Sequence, residues 1–300
     1  MSPRDLVLGA KILLYSRELD IVDFGDGKTK NFLSKSMSSS IVVLSPELYK
    51  SWGKIIDEFI TLGNLIILKA TTMLLNQSVA DNICNILEHQ NLRASNSLTS
   101  GVSLVLYLTG ENGTDNVNNI SMQLNGPKIG GTVLASNSNM QLQLINDLLF
   151  LKNKGSTTAT LDNCTCCIIK PHAVKTGLTG KVINDIIKQG YEISCLSSLN
   201  FTKVQAEEFL EVYKGVIPDY MDHVVELCSG LCIALEVRAE NAVDTFRSTA
   251  GPWDIEMAKE IRPLSLRGLY GETKVRSAIH CTDLPIDAAA ECEYCFHILE

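Results

Sequence analysis

The stretch CCIIKP at residues 166–171 decides the fold, because it is a short apolar strand that ends at a proline. An earlier stretch, IVVLSP at 41–46, has the same form. Proline lacks a backbone donor, so it marks where each strand stops pairing. A helical pattern follows each strand, at 52–61 and 180–189, and a glycine follows each helix. The copies lie about 125 residues apart, which indicates a duplicated domain rather than a solenoid repeat.

The sequence around these copies extends the pattern to a whole fold. Further strands are predicted at 65–70, 191–199, 231–237 and 278–280. A final helix is predicted at 287–295, after a long loop at 251–271. Two helices between strands, twice over, predict an α+β fold of two tandem ferredoxin-like (split βαβ) domains. A parallel α/β sheet gives a similar pattern, so periodicity alone leaves the topology open.

The chain divides into four parts. Residues 1–37 contain two short alternating strands and a glycine turn, which predicts a short β-rich segment. A first domain follows at 38–150, then a polar linker at 151–163 and a second domain at 164–300. A chain of 300 residues has room for two domains of ordinary size.

The amino-acid composition and the net charge limit which classes of partner are expected. Apolar residues make up 45% of the chain and charged residues 20%, which is typical of globular proteins. No apolar run reaches the roughly 18–20 residues that span a bilayer, and the first residues lack a secretory signal. We therefore expect a cytoplasmic protein with no membrane partner. The whole net charge of −8 lies in residues 161–300, and an acidic domain binds nucleic-acid backbone poorly, so no nucleic acid is expected.

The ten cysteines fit that compartment as reduced thiols. Cys166 and Cys167 are neighbours on a strand and point to opposite faces, so they cannot bind one metal together. Cys228 and Cys232 lie four residues apart, with no second pair to complete a zinc site. The cysteines are therefore predicted to be packed free thiols, and no metal ligands are expected.

Three ordered motifs in the second domain carry its chemistry. They are KPHAV at 170–174, RPLSLRG at 262–268 and SAIHCTD at 277–283. In this order they resemble the lysine, arginine and histidine motifs of nucleoside diphosphate kinases, over essentially all of 164–300. The pair Gly251-Pro252 and the residues after the histidine resemble the two-domain, flagellum-associated type 7 members of that family. The stretch DFGD at 23–26 resembles the segment that precedes the first kinase domain in the same subgroup.

The resemblance implies a phosphoryl-transfer enzyme with His280 as the nucleophile. A neutral imidazole is both a nucleophile and a leaving group near pH 7, so it can carry a phosphoryl from ATP to a nucleoside diphosphate. By the same resemblance, Glu291 orients the imidazole and fixes its tautomer. The Thr282 hydroxyl is expected to hydrogen-bond near that carboxylate.

The resemblance also implies the nucleotide-binding residues. Lys170, Arg247 and Arg267 are expected to contact the phosphates, since an arginine fork can hold two phosphate oxygens. Tyr213 is expected near the nucleotide. Ser277 belongs to the same nucleotide-binding set but stands where the family usually has asparagine, and its shorter side chain is expected to lose a sugar or phosphate contact. Mg²⁺ is expected to be held mainly by the phosphates of the nucleotide.

Some of these residues also have a structural interpretation. His280 fits a satisfied core residue at a strand end, Lys170 a solvated strand end, and Arg247 a surface salt bridge. Four other histidines lack a partner pattern and are expected to be structural or exposed: His89, His172, His223 and His297. The threonine that usually follows the first arginine of the family has no clear counterpart here, and Tyr220 is a displaced candidate for stacking on the base.

The first domain is predicted to be a degenerate kinase domain. Ser45 stands where the lysine should be, and VLASN at 133–137 occupies the histidine region without a histidine. Loss of both groups predicts that this domain does not catalyse the reaction.

Two functions therefore stay open. One is nucleoside diphosphate kinase activity in the second domain. The other, implied by the type 7 resemblance, is a structural role in the cytoskeleton, inside the axoneme of a cilium or flagellum, with tubulin or other axonemal proteins as partners. A nucleotide-binding regulator without turnover is a third alternative.

Overall fold

The computed structural model describes residues 11–14, 17–23, 25–28, 37–88, 92–125, 130–152 and 157–299. His89, much of the predicted N-terminal segment and part of the predicted linker lie outside these residues. The chain forms two compact units that divide between Thr158 and Ala159, and the N-terminal strand pair belongs with the second unit. No described helix is long and apolar enough to cross a bilayer.

Strands and helices alternate along both units. The described strands are β1 Lys11–Leu14, β2 Arg17–Asp20, β3 Met37–Leu44, β4 Ile66–Leu74, β5 Val102–Glu111, β6 Val133–Ala135, β7 Cys164–Ile169, β8 Glu192–Leu199, β9 Cys232–Arg238 and β10 Ile279–Cys281. The described α-helices are α1 Trp52–Thr61, α2 Gln77–Ile86, α3 Leu92–Leu98, α4 Gly113–Leu124, α5 Asn139–Asn146, α6 Pro171–Lys175, α7 Thr179–Lys188, α8 Lys203–Phe209, α9 Tyr220–Leu227, α10 Ala242–Ala250, α11 Ile255–Ile261, α12 Leu266–Tyr270 and α13 Ala288–Glu293.

Apart from the β1–β2 pair, each unit contains four described antiparallel strands in the same order. Neighbouring strands run β4-β5-β3-β6 in the first unit and β8-β9-β7-β10 in the second. In both, the first strand along the chain lies between the third and the fourth, which is the ferredoxin-like arrangement. The predicted α+β fold with two tandem domains is confirmed, and the parallel alternative is excluded for these sheets.

The second unit buries its central strand on both faces. All six residues of β7 are buried, as expected for a strand covered by helices on each side. Helix α7 buries Val182, Ile183 and Ile186, a spacing that gives one apolar face. Burial of each of these side chains stabilises the fold by about 1.5–3 kcal/mol. Gly190, with φ of 92°, follows the helix in the left-handed conformation predicted for its C-terminal end.

Residues 251–271 differ from the predicted loop, because they contain α11 and α12. Asp254 starts the first of these helices, since its side chain accepts hydrogen bonds from the backbone N–H groups of Glu256 and Met257. Ser265 starts the second by accepting from Gly268 N–H. Both helices are no longer than about two turns, too short for a clear periodicity. The predicted loop was wrong here because helices this short depend on single capping side chains rather than on a hydrophobic pattern.

Candidate functional site

His280 lies on β10 beside β7, opposite Ile168, and its side chain is 2% exposed. Its Nε2 atom is 2.9 Å from Oε2 of Glu291, which extends from α13. Thr282 Oγ1 donates to the same carboxylate oxygen at 2.8 Å and accepts a hydrogen bond of 3.0 Å from Cys166 N–H. The structure thus brings together the three residues to which the sequence analysis gave catalytic roles.

The hydrogen bond to Glu291 assigns the tautomer of His280. A carboxylate only accepts, so Nε2 carries the proton and Nδ1 keeps its lone pair. Within the described part of the chain, the hydrogen bond of the His280 side chain is made by Nε2, and Nδ1 is not engaged. Phe209 and Tyr213 meet the imidazole edge-on, with ring centroids 5.0 and 6.3 Å away, and hold its orientation. The ring therefore presents an unprotonated nitrogen, which is the form that a nucleophile needs.

The backbone just before His280 is strained. Ala278 is buried with φ of 66°, a left-handed conformation that costs a residue with a side chain about 1–2 kcal/mol. Its N–H donates to His172 Nε2 at 3.3 Å, and its carbonyl accepts from Lys170 N–H at 2.9 Å. His172 Nδ1 is in turn 2.7 Å from the Glu226 carboxylate. His172 therefore supports the turn that aims His280, and both of its ring nitrogens are engaged.

Lys170 is buried at the end of β7 rather than solvated. Its ammonium donates to the carbonyl of Val275 at 2.8 Å and to the hydroxyl of Ser277 at 2.9 Å. Burial, assisted by the nearby charge of Arg267, lowers the pKa of Lys170 to about 7. Ser277 thus contacts the lysine directly, and the two residues belong to one cluster.

Arg267 extends from α12 and is also buried. One Nη donates to the Gly251 carbonyl at 2.9 Å, and the other lies 3.6 Å from Cys281 Sγ. Gly251 has φ of 85°, and a Cβ there would lie 2.1 Å from Ser265 Oγ, so only glycine allows this approach. The Nε–H of Arg267 has no hydrogen-bond partner among the described residues. A buried guanidinium with an unused donor is suited to bind an anion.

Arg247 and Tyr213 meet at Asp283, a residue to which the sequence analysis gave no role. The Tyr213 hydroxyl donates to Oδ2 of Asp283 at 2.6 Å, and Arg247 Nε lies 3.4 Å from Oδ1. Burial raises the pKa of Tyr213, and the hydrogen bond to Asp283 raises it further. Arg247 is about half exposed, so its salt bridge is weak and leaves the guanidinium free to turn. The position of Asp283 inside the histidine motif was the signal that could have identified it.

The indole of Trp253 lies beside two cations that were expected to contact the phosphates of the nucleotide. Lys170 Nζ lies 5.7 Å from the centre of its indole, and Arg267 Cζ lies 5.2 Å away. Tyr213 and His223 pack against the same indole at 5.6 and 5.1 Å. Burial lowers the pKa of His223 to about 4, so this imidazole is neutral at pH 7. The sequence analysis missed Trp253, although it lies where the family threonine had no counterpart.

The first unit lacks these groups at equivalent positions. Its strand β6 pairs with β3 as β10 pairs with β7, and Leu134 occupies the place of His280. Ser45 occupies the place of Lys170, where its hydroxyl accepts a hydrogen bond from Thr132 N–H at 2.9 Å. At these two positions a leucine offers no nucleophile and a serine offers no cation.

A Thr282→Val variant is expected to lower the free energy of unfolding of the second unit by about 1–3 kcal/mol, because it leaves Cys166 N–H buried without an acceptor. The volume hardly changes, so the loss reports the hydroxyl. Urea denaturation of the full chain, followed by hydrogen exchange in residues 164–299, measures it. Thr245→Val is the matched control, since that hydroxyl is exposed on α10. Equal losses in the two variants would contradict the argument.

Similarity to known proteins extends over the whole chain. The family model "Nucleoside diphosphate kinase" matches residues 163–300. "Nucleoside diphosphate kinase homolog 7" of Mus musculus is 33% identical over 320 residues, covering 99% of this chain and 80% of that protein, and the Rattus norvegicus homolog gives the same values. "Nucleoside diphosphate kinase" of Aquifex aeolicus is 34% identical over 132 residues, covering 44% of this chain and 91% of its own. A crystal structure of the Aquifex aeolicus enzyme is 32% identical and covers 46% of this chain and 97% of its own, with a TM-score of 0.44.

Proposed function

Because the chain belongs to the nucleoside diphosphate kinase family, in the subgroup of homolog 7, we propose that its second unit transfers the terminal phosphoryl of a nucleoside triphosphate to a nucleoside diphosphate through His280. One observation carries the proposal above the others. Glu291 holds Nε2 of His280, and among the described residues no hydrogen bond engages Nδ1. A buried imidazole fixed in this tautomer is prepared for nucleophilic attack.

The proposed reaction has two matching steps. The Nδ1 lone pair attacks the terminal phosphorus of ATP, an N–P bond forms, and the bond from phosphorus to the bridging oxygen breaks, so that ADP leaves with the electron pair. A terminal oxygen of the incoming diphosphate then attacks the same phosphorus, and the N–P electrons return to the imidazole. The phosphorylated ring is positively charged, and the Glu291 carboxylate at 2.9 Å stabilises it.

Lys170 and Arg267 are the groups proposed to hold the phosphates. Both are buried, so their charges are weakly screened, and Arg267 has an unused Nε–H donor. Arg247 supplies a further cation at the exposed side, where turning away from Asp283 frees it for a phosphate oxygen. Mg²⁺ neutralises phosphate charge in reactions of this type. Asp283 already binds Tyr213 and Arg247, so we expect phosphates, and not a carboxylate, to hold the ion.

A labelling experiment tests the proposal. The full chain, incubated with ATP labelled on its terminal phosphate, is expected to form an acid-labile, base-stable phosphoenzyme. Addition of an unlabelled nucleoside diphosphate is expected to discharge the label into a new triphosphate. A chain that binds ATP but never becomes labelled would support the regulator without turnover and overturn the enzymatic proposal.

A Trp253→Thr variant is expected to bind ATP about tenfold more tightly than the natural chain. A triphosphate that reaches Lys170 and Arg267 must displace the indole, and breaking each of the two cation–π interactions costs about 0.5–1 kcal/mol. Threonine leaves room and offers a hydroxyl donor. Isothermal titration calorimetry with the full chain measures the change in Kd.

The matched control for this prediction is Trp253→Phe, which keeps an aromatic face beside both cations. Its Kd for ATP is expected to stay near that of the natural chain. If instead Trp253→Thr weakens binding, the indole contacts the nucleotide in the complex, and its position beside the two cations does not oppose binding.

A scaffold role is the second candidate function. We propose it because Leu134 and Ser45 remove the chemistry of the first unit while its ferredoxin-like sheet is retained. Such a unit can serve in binding, and the proposed setting is an axonemal microtubule assembly with tubulin as a partner. Co-sedimentation of the full chain with doublet microtubules tests this, and a chain that stays in the supernatant at low salt contradicts it.

A further inference from the structure

Strand β7 and the C-terminal helical segment place four thiols face to face in the core of the second unit. Cys164 and Cys166 are two residues apart on β7 and so point to the same face. Cys292 lies on α13, and Cys295 follows it in the next helical turn. All four side chains are buried and all are free thiols. The sequence analysis compared only cysteines close together along the chain and overlooked this pattern.

Two of these sulfur atoms are close enough to share a metal ion. Cys164 Sγ and Cys292 Sγ lie within 4.8 Å of each other, and Cys166 Sγ lies 3.9 Å from Cys295 Sγ. Thiolates at about 2.3 Å from a tetrahedral zinc ion lie ~3.8 Å from one another, so Cys164 and Cys292 can reach one ion with little movement. Cys166 lies outside this group but on the same face of β7 as Cys164, so its side chain must rotate to bring its sulfur to the ion.

A buried carboxylate completes the cluster. Oxygen and sulfur atoms of Glu236, Cys164 and Cys292 lie within 4.8 Å of one another. Glu236 Oε1 accepts from Leu161 N–H at 2.7 Å, and Oε2 accepts from Thr160 N–H at 2.8 Å and from the Ser194 hydroxyl. Among the described residues, no basic side chain forms a salt bridge with Glu236. Its carboxylate is thus buried without a cation, although four donors fix its orientation, the fourth being the Thr160 hydroxyl at 3.4 Å from Oε2.

We propose that Cys164, Cys166, Cys292 and Glu236 form a binding site for one Zn²⁺ ion. Three thiolates and one carboxylate give the four ligands of a closed structural site, and soft thiolates favour zinc over magnesium or calcium. Cys295 donates a hydrogen bond to the Cys166 sulfur from beside the ion. The ion balances the buried charge of Glu236 and joins β7 to α13.

The site connects to the phosphoryl-transfer residues through the chain itself. Cys292 follows Glu291 directly on α13, and β7 leads into Lys170. Zinc therefore fixes the helix that presents Glu291 to His280. The proposal concerns metal binding alone, and a chain that binds zinc without any phosphotransfer still satisfies it.

Metal analysis of the full chain tests the proposal. The purified protein is expected to retain about one zinc ion per chain through dialysis against a weak chelator, with Kd below about 1 µM. After strong chelation, Co²⁺ is expected to restore the visible bands of a tetrahedral thiolate site. Cys164→Ser and Glu236→Gln are expected to weaken zinc binding at least about 100-fold and 10-fold. Cys167→Ser is the matched control, because that thiol is buried on the opposite face of β7 and is expected to leave binding unchanged.

Three outcomes would overturn the proposal. They are absence of cobalt bands in the natural chain, equal loss of zinc in Cys167→Ser, and a Cys166–Cys295 disulfide in the protein purified without reductant or chelator. The cobalt spectrum uses the natural sequence, so the test stands even if a cysteine variant fails to fold. Zinc is also expected to raise the Tm of the chain, and chelation to lower it.

Discussion

The His280→Ala chain is expected to form no phosphoenzyme and to lose at least about 10⁴-fold in kcat for phosphotransfer. The substitution removes the imidazole whose Nε2 is held by Glu291 and whose Nδ1 is not engaged. Among the described residues, this is the only imidazole that Glu291 contacts. Neither buried neighbour can replace it: His172 is engaged on both ring nitrogens, and Trp253 covers His223. A coupled assay of triphosphate formation measures kcat, and labelled ATP measures the phosphoenzyme.

Two controls separate loss of the nucleophile from loss of the fold. His297→Ala removes an exposed imidazole from the C-terminal segment and is expected to keep full activity. In His280→Ala, hydrogen exchange of β7 and α13 is expected to stay close to that of the natural chain. Label that survives in the alanine variant would place the phosphoryl on another residue, and the mechanism proposed for the second unit would then be wrong.

Replacing Lys170 with methionine is expected to lower kcat/KM by about 10²–10³-fold, because a buried charge close to the phosphates acts with little screening. Methionine fills a similar volume, so the change removes the charge and leaves little cavity. The Val275 carbonyl and the Ser277 hydroxyl lose their donor, which costs some stability but leaves His280 and Glu291 in place. Steady-state kinetics measure the loss. Lys188→Met, on the exposed face of α7, is the matched control with activity expected to be unchanged.

The lowered pKa of Lys170 also predicts how the Kd for ATP depends on pH. The nucleotide-free protein has a Lys170 pKa of about 7, and bound phosphates favour the protonated form. Below pH 7 the lysine is charged in both states and adds no pH dependence. Above pH 7 the nucleotide-free protein loses its proton first, so Kd is expected to rise about tenfold per pH unit until the bound lysine also titrates. Lys170→Met is expected to abolish this rise, and an equal rise in both proteins would assign it to another group.

Elements long enough to show a hydrophobic pattern were predicted from the sequence, and the shortest helices were missed. Strand β7 and residues 41–44 of β3 are short apolar runs closed by proline, and α7 has an apolar face followed by Gly190, so local preferences indicated them correctly. Residues 37–40 of β3 are mostly serine and were not predicted as strand. Helices α11 and α12 were missed because their formation depends on single capping side chains and on packing against the rest of the unit. The two-domain plan followed from the repeat, since both copies have the same order of elements.

The sequence by itself determined which chemical groups are available: an ordered lysine, arginine and histidine in the second domain, and no lysine or histidine at the corresponding positions of the first. The tertiary structure alone decided which groups meet. Packing of α13 on β7 brings Cys292 to Cys164 across more than a hundred intervening residues. The position of Trp253 beside Lys170 and Arg267 is likewise a result of the tertiary structure. Such contacts depend on strand order and helix packing, which local preferences along a chain do not encode.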